Sequence, residues 1–239
     1  MVVRPSSSRG IALVTVLLIA SLVFTMALGL SLVISVDHLS VRNHRESTAL
    51  LHAADAGVEL AARAVADAAD WSLVLSGLVQ ASTADGPPTG TRPLDAGEEL
   101  DLEVHTNLLN CGMSAACGVA DLQAVTVERP WGVDNPHWRL FLYGPLQNLA
   151  PYRFAGPVYL LVWVADDGRE VDGNPEQDGL ADTPGHGVLR VRADAFGRGG
   201  ARRAVEAELV RVCRPDAESA GCLPGIRVQS WRDVRQAVP

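Results

Sequence analysis

Residues 11–36 run for 26 positions without a charged side chain. As a helix rising 1.5 Å per residue, such a stretch is about 39 Å long, more than the roughly 30 Å hydrocarbon core of a bilayer. The pattern predicts a membrane-spanning helix with some tilt. Ser21, Thr25, Ser31 and Ser35 interrupt the run. They are tolerable because a hydroxyl can bond back to the preceding turn, and they leave a polar option for packing against another helix. Arg4 and Arg9 precede the run and Asp37 follows it. By the positive-inside rule the N-terminus then lies in the cytoplasm and the chain beyond residue 37 lies outside. A cleaved secretory signal is the rival, but its apolar region is normally about 7–15 residues, and no small-x-small site is obvious directly before Asp37.

After Asp37 the continuous apolar run gives way to helical spacing. Leu39, Leu50, Leu51, Ala54, Val58, Ala61, Ala62, Val65, Ala69 and Leu73 recur at steps of three, four and seven. Arg42, Arg45, Glu46, Asp55, Glu59, Arg63 and Asp67 fill much of the other face, and Glu59 and Arg63 stand in the favourable i,i+4 order. Pro is absent between Pro5 and Pro87. The expectation is an amphipathic continuation over 37–81. It reads either as one helix packed on a globular core or as the second half of a single rod of about 105 Å. Gly57 within it costs up to about 1 kcal/mol against Ala and permits a kink or a close helix neighbour.

Asp85-Gly86-Pro87-Pro88-Thr89-Gly90 ends the helical pattern and marks 82–98 as linker. The period then shortens. Segments 99–106, 124–128, 138–143, 158–165, 187–195 and 204–212 read as strands. Leu100, Leu102 and Val104 alternate with Asp101 and Glu103, and Val188, Val191 and Ala193 mix with Arg190 and Arg192, as in half-buried strands. Tyr159 to Val164 are more uniformly apolar, as in a central strand. A long helix followed by strands gives an α+β class, with an antiparallel sheet of the 99–239 region packed on the C-terminal half of the helix.

A formal net charge of -8 over 239 residues argues against nucleic acid, whose phosphates need a positive patch. All basic residues are Arg. The four cysteines fall in two local pairs, Cys111/Cys117 and Cys213/Cys222. In an exported chain an even count suggests disulfides. Three connectivities exist; local pairing, closing two small loops, is favoured over the other two, and four reduced buried thiols are the bland alternative. Zinc is disfavoured because neither pair has CxxC spacing. No GxSxG or HExxH occurs, and His38, His44, His52, His105, His137 and His186 are scattered, so the expectation is a non-enzyme. Trp71, Trp131, Trp138, Trp163 and Trp231 read as core or interface anchors.

Asp166, Asp167, Asp172, Asn174, Glu176, Asp178 and Asp182 crowd into 17 residues beside Gly168, Gly173 and Gly179. Asn174, Glu176, Asp178 and Asp182 stand at alternating ligand positions of a calcium loop. Position 12, where a bidentate Glu belongs, is Gly185, so this is not an EF-hand. Two readings stay open: a looser Ca2+ site on Asp172, Asn174, Glu176, Asp178 and Asp182, and a solvated surface loop.

Three stretches carry a resemblance to a known family. Arg9-Gly10-Ile11-Ala12-Leu13-Val14-Thr15, after the short basic leader of residues 1–10, resembles the processing site of type IV pilins. The resemblance implies that a prepilin peptidase cuts between Gly10 and Ile11 and leaves the apolar helix in place. Removing ten residues and two arginines would leave 229 residues and a charge of -10. Where most pilins carry Glu at the fifth mature position, this chain has Thr15. Within the family that departure is typical of PilX-like minor pilins and of the K-type minor pseudopilins of type II secretion, which sit at the filament tip. Ala53-Ala54-Asp55-Ala56-Gly57-Val58-Glu59 is similar to a run in the same proteins. Gly197-Arg198-Gly199-Gly200-Ala201-Arg202-Arg203-Ala204-Val205-Glu206 is similar to their closing hairpin; its spacing is not the GxGxxG of a nucleotide loop. The resemblance spans residues 9–65 and about 158–212. It implies a minor pilin that initiates or caps a filament. Other pilins, the prepilin peptidase and an inner-membrane assembly platform are the implied partners, and the bacterial inner membrane with a periplasmic domain is the implied location. A pseudopilin tip subunit, a permanently anchored bitopic binding protein and a membrane-tethered hydrolase are the competing readings.

Overall fold

Helix α1 (Arg9–Ala66) is 58 residues long, and positions 11–45 along it are exposed throughout. The computed structural model describes residues 9–81, 84–94, 97–149, 157–179, 185–215 and 222–234. It divides into two compact units, Met1–Arg45 and Glu46–Pro239. The class is α+β: a long apolar N-terminal helix and a five-stranded antiparallel sheet.

In the second unit, the burial of α1 follows the helical period. Leu50, Ala53, Ala54, Val58, Ala61 and Val65 are buried and pack on one face of the sheet. The sheet is a meander of β3 (Arg139–Pro145), β4 (Tyr159–Asp166), β5 (Val188–Phe196), β6 (Arg202–Pro215) and β7 (Cys222–Asp233), each antiparallel to the next. Strand β4 is buried at all eight positions, consistent with its uniformly apolar sequence. Leu160, Val162 and Val164 join the cluster around α1, with Leu189, Val191 and Ala193 beside them. Tyr159, Leu161, Trp163 and Ala165 point to the opposite face, where Leu100, Leu102 and Trp138 cover them.

Small side chains set the helix–sheet distance. A Cβ on Gly57 would lie 3.1 Å from Ala193 Cβ and 3.2 Å from Val162 Cγ2, so the helix backbone rests nearly on the strands. Of the two roles open to Gly57, close approach is the one observed. The contact continues at the β5–β6 turn, where a Cβ on Gly197 would meet Leu50 at 3.1 Å. There Gly199 and Gly200 take φ of 61° and 72°, which glycine adopts without steric cost.

Several expectations need correction. Helix α1 ends at Ala66, not near 81. The indole of Trp71, itself buried, donates to the Val65 carbonyl at 3.1 Å, taking one of the acceptors a helix end leaves open. Asp70 accepts from the Ser72 amide, and only a four-residue helix, α2 (Ser72–Leu75), follows. The linker 82–98 contains a short strand, β1 (Thr91–Pro93), paired with β2 (Glu99–Asp101). The strand expected over 99–106 stops at Asp101, whose side chain accepts from the amides of Glu103 and Val104 and caps α3 (Leu102–Cys111). Gly112 ends that helix at φ 74°. Segment 124–128 forms no strand. It is held instead by buried Asn135, whose amide donates to the carbonyls of Leu122 and Ala124, after the short α4 (Val119–Leu122). A further one-turn helix, α5 (Leu146–Leu149), follows β3. Strand β7 was not expected at all.

Gly57 yields the first prediction. Gly57→Leu must push the helix off the sheet and should lower unfolding stability by about 1–3 kcal/mol. Gly57→Ala should come within about 1 kcal/mol of the parent, because added helix propensity offsets the tight contact. Urea unfolding of the detergent-solubilised chain reads both.

Candidate functional site

Two features of the second unit and one of the first present chemistry to the outside. In the first unit, every large apolar side chain from Ile11 to Val41 is open, Ile11 being 75% exposed and Phe24 64%. The span from Ile11 is, among the described residues, the one helix long and apolar enough to cross a membrane. Four of its hydroxyls are satisfied within the helix. Thr15 donates to the Ile11 carbonyl at 2.8 Å, Ser21 to Leu18, Thr25 to Leu22 and Ser35 to Ser31. The helix therefore offers no unpaired hydroxyl donor at these four positions, which suits an apolar surrounding. Gly10 and Ile11 lie within α1; leader residues 1–8 lie outside the described residues.

In the acidic loop, the described carboxylates of Asp172, Glu176 and Asp178 have partners within the chain. Glu176 pairs with Arg139, and its carboxylate is 3.7 Å from His137. Asp178 accepts from the Gly187 amide at 2.7 Å. Asp172 accepts from the Asn174 amide, and Asn174 accepts from the Glu176 amide. Asp182 lies outside the described residues. Among the described residues, no three His, Cys, Asp or Glu side chains converge as metal ligands. The oxygens named here serve an arginine, a histidine and turn amides. Upstream of them, Asp166 is buried at the end of β4. Burial first, then the charges of Glu170, Asp172 and Asp178, push its carboxyl up to about 8.

The third feature is a charged layer on the sheet face away from α1. The register sets Arg192 opposite Glu206, Arg190 opposite Glu208 and Asp194 opposite Ala204. Glu206 accepts from Arg192 at 2.9 Å, from Arg190 at 3.3 Å and from Arg232 of β7. Asp194 accepts from Arg192 at 3.0 Å and from Arg202. Burial opposes the charged form of Glu206, but the guanidiniums of Arg232, Arg192 and Arg190 hold its carboxyl below its ordinary value. The Arg190 guanidinium lies 5.7 Å from the Trp131 ring centre and 5.4 Å from that of Trp138, a cation–π contact on each side. Trp131 in turn lies against Gly168, where a Cβ would come within 2.7 Å of the indole. Beside this layer opens a cleft of about 530 Å³, walled by Val127 and Trp131 and floored by Arg190, Glu206, Ser230 and Arg232. Alternation in the sequence marked Arg190 and Arg192 as one face of a strand. It could not show that Glu206 and Arg232 meet them, which depends on register.

Cys111 and Cys117 form a disulfide, with Cα atoms 6.1 Å apart, closing the turn after α3. The side chains of Cys213 and Cys222 lie outside the described residues. Compared with known proteins, the chain matches no family model, no curated protein and no solved structure.

Two predictions follow from the buried charges. Glu206→Gln leaves Arg190, Arg192 and Arg232 without their shared carboxylate and should cost about 3–5 kcal/mol of stability, measured by chemical unfolding at pH 7. Asp166 is protonated in the fold over a range where the unfolded chain, with a carboxyl near about 3.9, is ionised. Stability should therefore fall as pH rises from about 4 to about 8, by up to about 1.4 kcal/mol per unit from this group. Asp166→Asn keeps the oxygen that accepts from the Asp167 amide and should flatten that slope in the same unfolding series.

Proposed function

We propose that this chain is a minor pilin that helps to initiate or cap a type IV pilus-like filament. The observation that carries the reading is the division of α1. Its first part is apolar and uncovered, while its later part is seated on an antiparallel sheet through Ala53, Ala54, Gly57 and Val58. A surface of that apolarity needs a cover. In the membrane, lipid supplies it. In a filament, the equivalent helices of neighbouring subunits supply it. Moving the helix from lipid into a bundle of helices exchanges one apolar surrounding for another. Packing and small interfacial residues then decide the fit, rather than hydrophobic transfer. The motor for that movement is a separate protein.

Thr15 supports a place at the tip. Its hydroxyl is spent on the Ile11 carbonyl, and it has no charge to offer the α-amine of a neighbour's helix. A subunit with nothing above it has no use for that charge. The arginines ahead of the helix and the acid after it support an orientation with the domain of residues 46–239 outside the inner membrane. The cleft and the charged layer would then be available for tip or partner contacts.

The test is the mature N-terminus, determined by sequencing after expression with and without a prepilin peptidase. The expected result is a peptidase-dependent start at Ile11, abolished by replacing Gly10 with a bulky residue. An intact Met1, with the peptidase active on a control pilin in the same cells, contradicts the reading and favours a permanently anchored protein.

A further inference from the structure

The two edges of the sheet are finished differently. Along β3 the outer edge is occupied: the amide of Ala81 donates to the Phe141 carbonyl and that of Asp85 to the Tyr143 carbonyl, each at 3.0 Å. Strand β7 is the other edge. It is 12 residues long, residues 227–232 are exposed, and among the described residues no segment pairs with its outer side. A long exposed edge is a template for another strand, and soluble proteins usually cover it.

The side chains of β7 are sorted by face. Ile226 packs at the margin of the core around α1. Trp231 lies on that same side and donates to Asp55 of α1 at 2.9 Å. Gln229 has no partner on β6, because the register steps from Glu208/Ser230 to Leu209/Val228. That single bulged residue keeps Val228 on the face of Ile226 and Trp231. Val228 remains 41% exposed and Trp231 47%. The opposite face carries Arg227, Ser230 and Arg232, and Ser230 and Arg232 also floor the cleft. In a chain of net charge -8, this edge has an apolar side and a cationic side.

We infer that β7 is a docking edge for an extended segment of a partner protein in which apolar and acidic residues alternate. Main-chain hydrogen bonds continue the sheet by one strand. Alternate side chains then fall on opposite faces. The apolar set covers Val228 and Trp231, and the acidic set faces Arg227 and the exposed rim of Arg232, whose guanidinium is shared with Glu206. Charge complementarity selects this partner: a basic alternating segment would set like charges directly across strands, which is destabilising. The inference is independent of the pilin reading, since it uses only residues 46–239.

The test uses the full chain in detergent micelles and two labelled ten-residue peptides, one alternating Val and Glu, the other Val and Lys. Fluorescence anisotropy should show saturable binding of the Glu peptide and at least about tenfold weaker binding of the Lys peptide. Hydrogen exchange should show new amide protection confined to β7. Arg227→Glu, at an exposed position, should weaken the Glu peptide by about fivefold and strengthen the Lys peptide. Equal binding of the two peptides, absence of binding at millimolar peptide, or binding without protection on β7 would overturn the proposal. Protection of β7 that rises with protein concentration in the absence of peptide would also overturn it, by identifying a second copy as the occupant.

Discussion

How closely a helix can lie on a sheet is set by the bulk between their backbones, and here that bulk is almost nil. Gly57 meets Ala193 and Val162 with space for no more than a tightly held methyl group, and Ala53, Ala54 and Ala61 flank it with methyl groups alone. The rest of the second unit is arranged around that contact. The seat requires alanine and valine on the facing positions of β5 and β4, and the period of two then sends Arg190, Arg192 and Asp194 to the far side. The far side must answer those charges, and the register of β6 and β7 does so with Glu206 and Arg232.

The charged layer has a thermodynamic character of its own. A buried ionic cluster is seldom more stable than apolar packing of the same volume, but breaking it from one side is costly. Glu206 serves three guanidiniums and Asp194 two, so β5, β6 and β7 are tied in one register by partners that cannot be exchanged singly. The loop between α4 and β3 is pinned to the same layer through Trp131, over Arg190 and against Gly168. The cleft between them is thus walled by a loop that is itself fixed to the sheet.

The apolar run, the helical period after it and four of the sheet strands were legible because each is a local pattern. Burial of Leu50, Ala54, Val58, Ala61 and Val65 followed the period directly. The errors have local causes too. Leu100-Asp101-Leu102-Glu103-Val104 alternates like a strand, yet Asp101 is a helix cap and Gly112 a helix stop, signals that were present and outweighed by the alternation. The end of α1 at Ala66 depends on Trp71 folding back to reach Val65, a tertiary event that no periodicity announces. Strand β7 contains Pro224, Gly225 and a bulge at Gln229, which break the alternation that would have revealed it. The charged layer and the open edge are properties of register and strand order, and neither is written in any one segment.

The proposed minor-pilin role requires that the apolar helix exchange lipid for protein. A photoactivatable residue at Phe24, exposed in the middle of the apolar run, reports that exchange in cells assembling the filament. In the proposed role, adducts to the helix of another pilin subunit are expected when the assembly motor is active, and their loss when it is disabled, with the chain still in the membrane fraction. Adducts that never include another pilin subunit, with the motor running and filaments present, would contradict it.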